Sequence, residues 1–173
     1  MHIQNHLRNQ SRILRRITPT SGRKAYASDL LMEHMGLTPM QVLTNKGYYN
    51  QTLGRIFEGL VHSAFIDLPG FEPGVMDGDM QLCDLVVAPH GIELKYNVAD
   101  TTPLAQKVRQ QRNDLLEEGL NPVALVFRDG PAARRVFAGW ELHQGQGCID
   151  YIERVGGQSF SQLLAAHADF LNG

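Results

Sequence analysis

The sequence predicts an α/β fold, a mixed β-sheet with flanking helices, and three features predict it. Two short runs, 83–88 and 92–96, are separated by the turn residues Pro89-His90-Gly91 and read as a β-hairpin. A polar, helix-periodic stretch over 103–118 comes next, and the apolar run 123–127 follows it. A hairpin, a crossover helix and a further strand make a sheet with antiparallel and parallel neighbours and helices on its faces.

Taken in order, residues 4–17 predict a first helix, and Ser28 caps a second running to about 35. Thr38 is a cap followed by Pro39 at the first helical position, opening a short helix to about 43. The clearest helical period lies over 50–65, where Leu53, Ile56, Phe57, Leu60, Val61, Ala64 and Phe65 form one apolar stripe. Pro69-Gly70 and Pro73-Gly74 then break the chain. After the hairpin, Thr102-Pro103 opens the helix that closes near Gly119. Its stripe runs through Leu104, Val108 and Leu115 with Gln111 inside it. Strands over 123–127 and 135–140 and helices over 148–155 and 159–171 complete the chain. No repeat or low-complexity linker interrupts it, and its 173 residues predict one domain, a basic helical segment over 1–48 ahead of a core over 49–173.

Charge is unevenly spread. From Met1 to Ser28 there are six cations, Arg8, Arg12, Arg15, Arg16, Arg23 and Lys24, and no acid, although the net charge is −2. A basic arm on an acidic domain is the pattern of a phosphate-tracking segment, and Ile13, Leu14 and Ile17 among the arginines also fit a solvated amphipathic helix. Between Asp100 and Asp114 the chain carries Lys107, Arg109 and Arg112 with no acid, interleaved with Gln106, Gln110, Gln111 and Asn113, a set suited to phosphates and base edges. No apolar run approaches the roughly 20 residues of a membrane span, the first residues lack a secretory signal, and Cys83 and Cys148 have no closely spaced metal-ligand partners. These features predict a cytoplasmic protein with buried thiols and no membrane partner.

The chemistry gathers on the hairpin. With Ala88 opposite Gly91, Val86 faces Glu93 and Asp84 faces Lys95, so strand alternation puts Asp84, Glu93 and Lys95 on one wet face. Cys83, Leu85, Val87, Ile92, Leu94 and Tyr96 form the dry one. Charges on a wet hairpin face also make ordinary cross-strand ion pairs. Two carboxylates and an ammonium at one end of a ribbon can hold Mg²⁺, with Mn²⁺ able to substitute, and a water beside a phosphate. Asp77 and Asp79 rank below Asp84 as ligands because no predicted strand places them. No Ser/His/Asp order, Gly-rich phosphate loop or zinc-ligand cluster competes.

Asp84, Glu93-x-Lys95, the cationic helix and the strand 122–127 together resemble the PD-(D/E)xK nuclease superfamily, which includes many type II restriction endonucleases. The stretch from about 82 to 165 is similar to the ApaLI-like restriction endonucleases, in Ile92-Glu93-Leu94-Lys95-Tyr96, the long helix, 122–127 and the ending 149–160. Cys83 stands where the family often has Pro, a change that removes no chemical group. The resemblance implies a restriction-endonuclease-like core with Asp84 and Glu93 as Mg²⁺ ligands, joined by the Leu94 backbone carbonyl. It places Lys95 beside the attacking water or the phosphate, as a base or as a positioning cation. It also implies a metal-side role for Glu58 on the preceding helix, with His62 one turn later, and a near-site role for Gln111. The expected function is Mg²⁺-dependent cleavage of double-stranded DNA by a homodimer, with a structure-directed nuclease or a non-catalytic DNA-binding protein as alternatives.

Overall fold

The computed structural model describes residues 28–77, 80–99 and 101–168. It is an α/β fold with a mixed five-stranded sheet and flanking helices. The chain divides into two compact units: the described residues up to Leu60 together with those from Ser159 onward, and Val61–Gln158. The division falls inside the helix Lys46–Phe65. The predicted helix over 4–17 and the cations Arg8, Arg12, Arg15, Arg16, Arg23 and Lys24 lie outside the described residues.

The first unit is helical. Helix α1 (Leu30–His34) is capped by Asp29, whose carboxylate accepts the Met32 N–H at 2.9 Å. The sequence pointed to Ser28, but Asp29 has the better acceptor, and its charge suits the positive end of a helix. Helix α2 (Pro39–Thr44) opens as predicted, Thr38 and Gln41 forming a reciprocal capping box. Helix α3 (Lys46–Phe65) begins four residues before the predicted start, and its stripe residues Leu53, Ile56, Phe57 and Leu60 are fully buried.

The second unit holds the sheet, in the order β1 (Phe71–Pro73), β4 (Leu85–Val87), β5 (His90–Lys95), β6 (Asn121–Val126) and β7 (Glu141–Gln144). The first three strands are antiparallel, and β6 and β7 continue in parallel from β5. The two-residue strands β2 (Met76–Asp77) and β3 (Met80–Gln81) form a separate small ribbon. Strand β1, read from sequence as a break, accepts Pro73 because it is an edge strand. Helix α4 (Thr102–Glu117) is the predicted crossover between β5 and β6.

The segment 135–140, predicted as a strand, instead contains the end of helix α5 (Pro131–Val136) and a turn; the strand is β7, just after it. Pro131 at the first helical position and the spacing of buried Ala133, Val136, Phe137 and Trp140 follow a helical rather than an alternating period. Helix α6 (Gln146–Gly156) then follows, and α7 (Phe160–Ala166) belongs to the first unit, capped by Ser159.

The hairpin register also differs from the expected one. The turn is Ala88-Pro89, so Val87 faces His90, Val86 faces Gly91 and Leu85 faces Ile92. The Asp84 N–H also reaches the Ile92 carbonyl at 3.0 Å, so Asp84 and Leu85 together stand opposite one residue, in the manner of a β-bulge.

The predicted wet face is largely covered, with Lys95 and Asp84 at its end still partly exposed. Val86, Ala124 and Val126 on that side form one apolar cluster with Val108 and Leu115 of α4 and with Ala133 and Val136 of α5. A strand flanked by a parallel neighbour is roofed by its crossover helix, which buries the face it lies on. Gly91 lets the roof close down, since a side-chain carbon there would lie 2.7 Å from Leu115.

Candidate active site

Glu93 sits in the middle of that covered face on β5 and is 3 % exposed. Burial raises its carboxyl pKa above the usual range and the Asp84 charge adds to this, while Lys95 and Lys107 pull the other way. A buried carboxylate is tolerated only with a cation at hand. Lys95, two residues along the strand, supplies one: its Nζ is 2.5 Å from Glu93 Oε1, 3.1 Å from the Leu94 carbonyl oxygen and 3.8 Å from Asp84 Oδ2.

Asp84 reaches the group from the bulge. Its Oδ2 accepts the Leu94 N–H at 2.6 Å, and its Oδ1 accepts from Gln81 Nε2 at 3.2 Å. Two donors of different elements thus set the plane of this carboxylate. The Asp84 backbone carbonyl accepts from the Gly74 N–H at 3.1 Å, and Asp84 acts electrostatically on His62. Gly74 is more than a chain breaker here: a side chain would meet the Cys83 carbonyl at 2.7 Å and the Asp84 carbonyl at 3.1 Å.

The sequence-predicted residues Asp84, Glu93, Leu94 and Lys95 are therefore brought together. His62 lies beside them: it is half-buried, packs edge-on against Phe71 and has its pKa lowered by burial. Gln111, buried in the stripe of α4, donates from Nε2 to the Gln81 carbonyl at 3.0 Å, while its Oε1 is buried with no partner. Its link to the site therefore runs through Gln81, a residue not singled out from sequence. Gln81 follows a turn-like segment and precedes Asp84 by three, and nothing in the local pattern shows that its amide folds back on Asp84. Glu58 lies half-buried on α3 in the first unit. Asp77 lies on β2, and Asp79 is outside the described residues.

The predicted DNA cations of α4 separate into different settings. Lys107 is exposed and acts electrostatically on Glu93. Arg109 lines an open cleft with Thr101, Thr102, Gln106 and Arg135. Arg112 instead donates from Nε to the Gly139 carbonyl at 2.8 Å, tying α4 to the turn after α5. This bond uses the Nε side of the Arg112 guanidinium.

No group of three or more His, Cys, Asp and Glu side chains suited to a metal occurs among the described residues. The donors that do converge are two carboxylates and a carbonyl, all oxygen, and one carboxylate is buried at a cation's side. That set fits a hard divalent ion that keeps several of its waters. Asp84 Oδ2, Glu93 Oε1 and the Leu94 carbonyl would hold it. Cys83 and Cys148 are free and buried, and burial raises both thiol pKa values, so neither is poised as a nucleophile. No helix among the described residues is long and apolar enough to cross a membrane. No protein-family model, curated protein or solved structure matches the chain.

Proposed function

We propose that the chain is a Mg²⁺-dependent phosphodiesterase that cleaves double-stranded DNA, site-specifically and as a homodimer, with the core of a restriction endonuclease. The observation that carries the proposal is the convergence of Asp84, buried Glu93 and Lys95 at the end of β5, with the Lys95 ammonium 2.5 Å and 3.8 Å from the two carboxylates. A divalent ion on these oxygens supplies a water of lowered pKa and offsets charge gathering on the phosphorus.

The chain's own groups do the rest. Asp84, its plane set by the Leu94 N–H and the Gln81 amide, presents a pre-oriented carboxylate that need not reorganise during reaction. Glu93, roofed by α4, keeps bulk water from one side of the site. Lys95, the part of the group open to solvent, holds a phosphate oxygen as its ammonium or, as the neutral amine, takes the proton of the attacking water as the bond to the leaving oxygen breaks. Lys107 and Arg109 lie on the same crossover helix, where they can meet the flanking phosphates.

The Lys95–Glu93 contact favours a second reading, a buried ion pair kept for stability alone. Incubating purified protein with mixed plasmid DNA, with and without Mg²⁺, separates the two. Discrete Mg²⁺-dependent fragments support the site-specific nuclease, and smearing supports a nuclease without a recognition sequence. Uncut DNA at every metal concentration supports the structural ion pair.

A further inference from the structure

The Lys95 ammonium touches the same three oxygens to which the proposed function assigns the divalent ion: Glu93 Oε1, the Leu94 carbonyl and Asp84 Oδ2. We propose that Lys95 is the resident counter-cation of this site, so that its ammonium and a divalent metal are alternative occupants of one set of donors, and that Lys95 gives up those oxygens when metal binds. The exchange rests on the metal-dependent reading above and assigns Lys95 a role that precedes any chemistry.

Three observations carry it. Glu93 is 3 % exposed, so little water reaches the carboxylate to take the place of a lost cation. An ammonium against the same oxygens cannot stay there beside a doubly charged ion, because like charges at such distances repel strongly where solvent screening is low. The partners also differ in freedom. The carboxylates are fixed, Glu93 beneath α4 and Asp84 by two donors, whereas the Lys95 side chain is 30 % exposed on a flexible four-carbon stem. When occupants exchange, the ammonium is the group that moves.

The exchange also makes metal affinity a difference quantity. The measured affinity is what the oxygens gain from the metal less what they lose in releasing Lys95. Removing the ammonium should therefore tighten metal binding even as it takes away a group needed for cleavage.

Two measurements test this without using activity. The first labels wild-type protein with an amine-acylating reagent and follows Lys95 by mass spectrometry with Lys46 as internal reference, with and without saturating Mg²⁺ at matched ionic strength. The second titrates Mg²⁺ into wild type and Lys95→Met by calorimetry. Lys95 labelling should rise severalfold with Mg²⁺ while Lys46 is unchanged, and Lys95→Met should bind at least about tenfold tighter, since one competing positive charge is gone. Metal binding by wild type with unchanged Lys95 labelling, or equal or weaker binding by a folded Lys95→Met, would overturn the exchange while leaving the metal-dependent reading intact. No binding to either protein would overturn both. If Lys95→Met does not fold, the labelling of wild type decides alone.

Discussion

The Asp84 carboxylate accepts the Leu94 backbone N–H at 2.6 Å, a bond that spans the hairpin and ties the bulge of one strand to the central strand of the sheet. It places an acid from an irregular position beside Glu93 and Lys95. The bond has a structural and a chemical consequence, and they can be measured separately.

Asp84→Asn is expected to keep the fold and lose cleavage. The amide can still accept from Leu94, so the melting temperature should fall by little, while the anionic oxygen needed at the site is gone. Cleavage should drop by about a hundredfold or more, the scale set by losing one electrostatic contact to the transition state. Supercoiled-plasmid nicking assays check it, and wild-type rates from the folded variant would remove Asp84 from the site.

Glu93→Gln tests the buried charge by pH. The Glu93 pKa is raised in the folded chain, chiefly by burial, so the folded state holds its proton more tightly than the unfolded one. That contribution is fully present below the unfolded value and is lost as pH rises through the folded one. Without divalent metal, the stability of wild type should therefore decline across a window beginning near the ordinary carboxylate pKa, 4.5. Glu93→Gln should flatten this decline. Denaturant titrations at a series of pH values decide it, and identical pH slopes for the two proteins would count against a raised pKa.

Lys95→Ala shows how burial changes an expectation. On a wet hairpin face, this substitution would leave stability nearly unchanged. With Glu93 buried, it removes the cation beside a desolvated carboxylate and should lower the melting temperature of the metal-free protein. Breaking such a pair from one side typically costs about 3–5 kcal/mol where both charges are buried, and less here because Lys95 is 30 % exposed. An unchanged melting temperature in metal-free buffer would contradict this.

Gln81→Leu should act at a distance from any reacting atom. The leucine cannot donate to Asp84 Oδ1, so the carboxylate is left with a single orienting bond. Gln81 is exposed, so thermal stability should be close to wild type. The expected signature is cleavage that needs more Mg²⁺ to reach its maximum. A Mg²⁺ dependence identical to wild type would show that the Gln81 amide does not position Asp84.

DNA binding should separate the cations of α4. Reversing Lys107 or Arg109 to Glu should weaken affinity and reduce its salt dependence by roughly one unit of slope for each phosphate that is no longer neutralised. Arg112→Ala should instead lower thermal stability, because it frees the Gly139 carbonyl, with little effect on the salt slope. Fluorescence anisotropy across a salt series, paired with melting curves, would detect a reversal of these roles.

Local signals in the sequence determined much of this protein. The stripe of α3, the Thr38 capping box and the crossover helix between two apolar runs are written in residue spacing, and they give the α/β class. The two-residue offset from Glu93 to Lys95 fixes a shared face in any extended strand. Only the tertiary structure decided the rest. Whether the Glu93 face is wet depends on what covers it, and the parallel pairing of β5 with β6 brings α4 over it, a contact between segments far apart in sequence. The hairpin register turned on where the chain reverses, Ala88-Pro89 rather than Pro89-His90, and the bulge at Asp84 restored by geometry a meeting the expected register had assigned to simple pairing. The helix over 131–136 prevailed over the expected strand because its apolar residues had a core to face. Gln81 was invisible for the same reason: a side chain's hydrogen-bond partner follows from how the chain folds back on itself, and periodicity carries no record of that.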